Sequence, residues 1–210
     1  MANGAKVMRL RRCSDPSKYT TVAWRGNGHR ACVSRLMAMV VLLSLVESPF
    51  LRAQSSPTEY EVKAAYLYNF GKFVEWPNKN TASDSSFNIC VLGQDPFGPT
   101  FGATIAGQSI KGKNVLLKRI PKAEDAVSCH ILFISSSEEV RLKEILATLD
   151  KTSVLTVSDM PHFSRRGGMI EFVMEANRVR FEVNLASAER TGLILSSQLL
   201  KVAVGVRRSA

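Results

Sequence analysis

Long apolar runs are almost missing from this chain of 210 residues; the longest, Leu36 to Val46, has eleven. A membrane-spanning helix needs about 20 such residues, so no segment reads as a transmembrane span, and eleven is instead the length of a secretory h-region. Histidine is scarce as well. Of the three, only His130 and His162 follow residue 53, and neither His-x-x-x-His nor Glu-x-x-His spacing occurs, which argues against a catalytic metal. No serine sits in a Gly-x-Ser-x-Gly elbow, and Gly93, Gly98 and Gly102 do not form the Gly-x-Gly-x-x-Gly dinucleotide fingerprint. A chain so short of acids, bases, nucleophiles and cofactor motifs reads as a binding protein, not an enzyme, with no cofactor and no metal.

What is present begins with a leader. A basic stretch runs to Arg35, the apolar run follows, and Glu47 to Ala53 lead to Gln54, so residues 1–53 read as a signal peptide cleaved after Ala53. Leu51 is large for the position three residues before the cut, and the basic region is long; a translation start at Met8 would account for the length. The leader holds nine Lys and Arg against only Asp15 and Glu47, and so carries seven of the ten net positive charges. The rest is close to neutral. The pI of 9.7 is therefore no sign of nucleic-acid binding. Lys111, Lys113, Lys118, Arg119 and Lys122 do cluster, and read as a solvated face or as a contact for an anionic partner or lipid surface.

Residues 54–210 are enough for one domain with a real core. Export leaves Cys90 and Cys129 as a pair in an oxidising compartment. Each lies in a strand-like run, Phe87 to Gly93 and Cys129 to Ser135. They form a disulfide if those strands are neighbours, or are two small buried hydrophobes if they are not. No Cys-x-x-Cys spacing exists to make a redox-active thiol.

Thr58-Glu59-Tyr60-Glu61 has the form of a capping box and predicts a helix start. Val62, Tyr66, Phe70 and Phe73 then recur at helical spacing, widened by Ala65 and Val74, until Trp76-Pro77 ends the run. This stripe reads as core, or in part as a partner surface through Phe70, Phe73 and Trp76. Asn78 to Ser86 read as a loop. Phe87 to Gly93, Asn114 to Ile120, Cys129 to Ser135 and Ser153 to Ser158 read as buried strands, with a helix between the last two capped by Ser137 and facing inward through Val140, Leu142, Ile145, Leu146 and Leu149. Met169 to Met174 and Arg178 to Leu185 flank Glu175-Ala176-Asn177 as a β-hairpin. Its second arm alternates, with Val179, Phe181, Val183 and Leu185 inward and Arg178, Arg180, Glu182 and Asn184 toward water. A segment from Ala186 to Thr191, a stop at Gly192, and a helix from about Ser196 with Leu199, Leu200 and Val204 inward complete the chain. The expected fold is α/β: a Rossmann-like sandwich with a mostly parallel central sheet, an antiparallel C-terminal hairpin and flanking helices.

In such sheets ligands sit beyond the carboxyl ends of the strands. The loops there are Gln94 to Gly98, Ser135 to Ser137, and Asp159 to Phe163 running on through Gly168. Asp159, His162, Arg165, Arg166, Gly167 and Gly168 form a candidate ligand or anion loop, since guanidinium forks and free amides suit an anion. A plain turn is the simpler reading. His130 reads as a packed or edge histidine, and Ser135, Asp159 and His162 lack the setting of a triad.

Several stretches together resemble the YfiR family of periplasmic regulators over about Tyr60 to Val206. They are the entry helix from Val62 through Trp76-Pro77, Cys90 through Gly98, Gly167-Gly168-Met169-Ile170, and Phe181 through Leu185 with Gly192-Leu193 and Ser196 through Leu200. The resemblance implies a periplasmic protein that represses a membrane-bound diguanylate cyclase by docking on its periplasmic sensor region, lowering cyclic-di-GMP and biofilm formation. It implies a structural disulfide between Cys90 and Cys129, and it allows a homodimer. A second disulfide of some members has no counterpart, because no cysteine follows Cys129. A periplasmic small-molecule sensor, or an accessory protein of another membrane signalling system, is the alternative.

Overall fold

The computed structural model describes residues 57–77 and 85–208. The expected signal peptide and its cleavage site lie outside them, as does most of the loop expected from Asn78 to Ser86. The chain enters the fold at its capping box. The Glu61 N–H donates to Thr58 Oγ1 at 3.3 Å and the Thr58 N–H donates to the Glu61 carboxylate, which starts helix α1 (Glu59–Phe73).

The buried face of α1 is rotated from the aromatic stripe. Lys63, Ala64, Leu67, Phe70 and Gly71 are buried, whereas Val62, Ala65, Tyr66 and Phe73 are half-buried. Small residues set the approach: a Cβ on Gly71 would lie 2.6 Å from Ile110 Cδ1, so the helix backbone rests directly on the sheet. Phe70 is 1% exposed and Trp76 6%, which removes both from any partner surface. Phe70 stacks on Phe172 and meets Phe181 edge-on, and the Trp76 indole N–H donates to the His130 carbonyl at 3.2 Å.

The expected α/β architecture is observed. After α1 come β1 (Val74–Glu75), β2 (Ser86–Leu92), α2 (Pro99–Ile105), β3 (Ser109–Ile110) and β4 (Lys113–Ile120). A 3₁₀ turn (Ala123–Ser128) leads to β5 (Ile131–Ile134), and a second (Ser136–Arg141) runs into α3 (Leu142–Leu149). β6 (Leu155–Ser158), β7 (Ile170–Glu175), β8 (Arg178–Asn184), α4 (Leu185–Arg190), β9 (Ile194–Leu195), α5 (Ser197–Val202) and β10 (Gly205–Arg207) follow. One sheet has the order β10-β8-β7-β6-β5-β2-β4-β3; β4, β2, β5, β6 and β7 run parallel and the β7–β8 hairpin is antiparallel. β1 and β9 form a separate antiparallel pair.

Strand alternation feeds two apolar layers, one on each face of the sheet. Phe87, Ile89 and Val91 of β2 join the core beneath α1 with Ile131, Phe133, Leu155 and Val157. Cys90, Leu92, Leu132 and Ile134 turn to the other layer, where Leu142, Ile145 and Leu149 of α3 cover them. The disulfide joins β2 to the end of the 3₁₀ turn just before β5, where Cys129 caps the turn and does not open the strand: Cys90 and Cys129 are bonded, with Cα atoms 5.9 Å apart and both side chains fully buried.

Four expectations change. Val140 is 98% exposed, because the segment before α3 winds as a 3₁₀ helix at three residues per turn and shifts its phase. The cap there is Ser135, whose Oγ accepts from the Ser137 N–H, so Ser137 is not the cap. Asn184 is buried where a wet face was expected, because its side chain caps α4 through the Ser187 N–H and donates to the Ser164 carbonyl at 2.7 Å. Val204 is 38% exposed because α5 ends at Val202. The hairpin turn has two residues, Ala176 and Asn177, both at positive φ (48° and 60°), as the strand twist requires of a type I′ turn.

Candidate functional site

The sheet reverses its winding direction between β2 and β5, the usual crevice for a nucleotide in a doubly wound fold. Here the crevice is filled. The Gln94 N–H donates to Ser137 Oγ at 2.9 Å, and a Cβ on Gly93 would lie 2.5 Å from that same oxygen. Glu138 and Glu139 open the following 3₁₀ turn, so an approaching phosphate would meet carboxylates. Asp95 pairs with Arg119 at 2.6 Å and accepts from the Phe97 N–H, closing the Gln94 to Gly98 loop on itself.

The polar residues gather further along the sheet, past the end of β6 and beside the start of β7. Asp159 follows β6 directly and accepts from Lys63 Nζ at 2.7 Å and from the Tyr60 hydroxyl at 3.2 Å. Lys63 also pairs with Glu59, one helical turn earlier, and its ammonium lies 4.4 Å from the Tyr60 ring centroid. Its side chain is only 4% exposed. Burial pushes the Lys63 pKa down, but the hydrogen bonds to Asp159 and Glu59 and the attraction of Asp159 outweigh it, and the net shift is upward. Burial raises the Tyr60 pKa, and the adjacent Asp159 charge raises it further against the opposing pull of Lys63.

The Asp159 to Gly168 segment does hold an anion through its backbone, but the anion belongs to the protein. The N–H groups of His162 and Ser164 donate to Glu171 at 2.8 and 2.9 Å, and Ser164 Oγ donates to the same carboxylate at 2.7 Å. His162 adopts φ 61° to aim its amide this way, while its ring is at the surface. Met160 and Phe163, both fully buried, anchor the loop in the second core layer. Gly168 is required beneath Phe163, since a Cβ would fall 2.1 Å from the ring, and Gly167 turns the chain at φ 104°. Arg166 reaches away to Glu139 at 2.9 Å and Arg165 is exposed. The structure thus brings Asp159 to Lys63 and Tyr60, and the loop amides to Glu171, without joining the two arginines into one fork.

A cleft of about 340 Å³ lies between these groups, walled by Tyr60, Lys63, Asp159, Glu171 and Phe172. A second, more apolar groove of about 380 Å³ runs between α1 and α5 and is lined by Phe73, Tyr66 and Val202 over a floor of Phe70 and Phe181. Phe73 is the member of the expected aromatic surface that reaches solvent. Ser135 is buried and caps its own turn, while His162 points out of the fold, so Ser135, Asp159 and His162 are not brought together. His130 is packed: it stacks on Phe87 and accepts the Asn88 N–H through Nδ1. Among the described residues no group of three or more His, Cys, Asp and Glu has the arrangement of a metal site.

Lys63, Tyr60 and Glu171 are the central residues that sequence reasoning passed over. Lys63 had a signal, since it shares a helical face with Leu67 and Phe70, and a lysine on a core face needs an acid.

A family model described as YfiR/HmsC-like matches residues 60–204. No curated protein matches the chain. Similar solved structures include a conserved domain protein from Vibrio cholerae O1 biovar El Tor strain N16961, at 11% identity and a TM-score of 0.51 over 73% of this chain and 62% of that one. Another is the ABC domain from Streptococcus pneumonia in complex with L-Trp, at 10% identity and a TM-score of 0.46 over 70% and 60%. The chain therefore spans less than two thirds of either, and the first likeness shows the fold alone.

Proposed function

The chain belongs to the YfiR/HmsC-like family, and from that premise we propose that it represses a membrane-bound diguanylate cyclase by docking on the cyclase's periplasmic region. Family membership implies a periplasmic regulator of cyclic-di-GMP signalling. The observation that carries the reading is the extent of the match, from Tyr60 in the first turn of α1 to Val204, next to the last strand. The polar chemistry at the strand ends agrees with it. Lys63, Asp159 and Glu171 are each held by partners from the same chain, which suits a rigid body that acts by contact.

Repression requires that the protein bind the inactive cyclase more tightly than the active one, and the difference in affinity sets the shift in population. Cyclic-di-GMP and biofilm formation fall while the complex persists. The test is a membrane pull-down with the exported domain as bait, paired with cyclic-di-GMP measurement after deletion of the gene. Recovery of a cyclase together with a rise in cyclic-di-GMP supports the proposal; recovery of a different membrane signalling protein, or an unchanged level, overturns it. The alternative of a small-molecule sensor is favoured by one observation, the cleft beside Tyr60 and Asp159 at the carboxyl ends of the strands. Ligand-dependent thermal stabilisation in a screen of nucleotides and aromatic amino acids would select it.

A further inference from the structure

We infer that the outer edge of β4 is a docking edge for an extended, acidic segment of a partner protein, which joins the sheet as an added strand. β4 is paired along its inner side with β2, from Asn114 to Ile120. On its outer side β3 covers only Lys113 and Asn114. The Ile110–Lys113 pair closes a two-residue turn, and the Val115 N–H donates outward to the Gln108 carbonyl at 3.0 Å. Backbone direction alternates along a strand, so the amides of Leu117 and Arg119 also point outward, while those of Leu116 and Lys118 face β2. Beyond Val115 these outward groups have no backbone partner among the described residues. An unpaired row of donors and acceptors is a template for another strand.

Side chains state what that strand must carry. Leu116 is 45% exposed, Ile120 is half-buried, and Lys118 lies between them on the same face. Lys118 and Lys122 have no ion-pair partner among the described residues, whereas Arg119 is already matched by Asp95. An added strand is thus recognised by an acidic residue opposite Lys118, with apolar residues two positions to either side. A second copy of β4 does not fit, because antiparallel pairing about Lys118 sets like charges opposite each other. The same lysine that repels a self-association attracts an acidic strand. This surface does not depend on the partner being a cyclase, so a failed cyclase pull-down leaves it standing.

The probe is a fluorescent peptide, Glu-Val-Thr-Glu-Thr-Val-Glu, whose palindromic order lets it pair in either direction. Binding to the purified protein is read by anisotropy, and site-resolved amide hydrogen exchange maps the contact. The expected result is saturable binding that slows exchange at Leu117 and Arg119, with Leu116 and Lys118 already protected by β2. A Lys118→Glu protein should bind about tenfold more weakly, as attraction becomes repulsion. It should also prefer a peptide with Lys at the centre. A peptide N-methylated along its backbone needs no protein variant and should not bind. Equal binding of the acidic, lysine and N-methylated peptides, absence of binding, or new protection away from β4 would each overturn the proposal.

Discussion

Replacing both Cys90 and Cys129 with alanine should lower stability by about 4 kcal/mol. The bridge joins residues 39 apart in sequence, and in the chain-entropy treatment a loop of that length restricts the unfolded ensemble by roughly that amount at 25 °C. Alanine is the better replacement than serine, because both positions are fully buried and a hydroxyl there would need a hydrogen-bond partner. For a domain of this size each kcal/mol moves Tm by about 2–4 °C, so the variant should melt about 8–16 °C lower. Urea unfolding of the oxidised protein and of the variant gives the difference directly, and the m-value of the variant should rise as its unfolded chain expands. The complete burial of both sulfurs adds a kinetic expectation. Reductant below the unfolding transition should leave the bridge intact, with alkylation of the thiols appearing only as the protein unfolds. A double-alanine variant that melts with the wild type, or thiols released by reductant in the folded protein, would refute the reasoning.

Three further outcomes test the strand-end cluster and the hairpin. Lys63→Met should cost about 3 kcal/mol by leaving the largely covered Asp159 without its cation, and adding Asp159→Asn should recover most of the loss in urea titrations. Lys63 and Tyr60 both have raised pKa values in the fold, so the stability they contribute is complete below their unfolded values and is lost as pH rises through the folded ones. Chemical denaturation midpoints should therefore hold steady to about pH 9 and fall above about pH 10, with a shallower fall in a Lys63→Met, Tyr60→Phe double variant. Ala176→Gly should stabilise by about 1 kcal/mol, because alanine at φ 48° carries a strain that glycine does not, and a calorimetric scan with no rise in Tm would contradict this.

Elements written in local chemistry were legible before the structure. The capping box at Thr58 places the first turn to the residue, and the alternation of Phe87, Ile89 and Val91 against Cys90 and Leu92 gives a strand buried on both faces. Errors of phase arose where local spacing competes with packing. Val140 reads as the first member of an α-helical stripe, yet a 3₁₀ turn carries it to solvent. On α1 the large aromatics draw the eye, while Gly71, with no side chain, lies against Ile110 and Phe87 and Ala64 is fully buried. Asn184 alternates with inward residues and so reads as wet, but the chain turns into α4 there and the amide becomes a buried cap. The candidate loop was legible in composition alone. Its composition suits either an anion loop or a plain turn, and nothing local to residues 159–168 says that its amides face Glu171 or that Asp159 answers a lysine nearly a hundred residues earlier.

That internal pairing bears on where this fold can act. At the carboxyl ends of the strands, where doubly wound sheets ordinarily keep donors and charges for a ligand, the Gln94 amide, Asp95, Asp159 and Glu171 are all held by partners of the same chain. A ligand entering there must displace a bond already made, and it gains only the difference between the two. The outer side of β4 has the opposite balance. Its outward amides at Leu117 and Arg119 have no backbone partner among the described residues, so an incoming strand supplies partners without displacing a bond made by those residues, and Lys118 supplies the direction of charge. Under the proposed role, which acts by contact, such an edge is better placed for use than a crevice filled by the protein's own side chains. Glu171→Gln makes the contrast measurable. By weakening the clasp on the His162 and Ser164 amides it should speed hydrogen exchange across residues 159–168 and leave peptide binding at β4 unchanged. Loss of peptide binding in that variant would mean that the two regions are coupled and do not act separately.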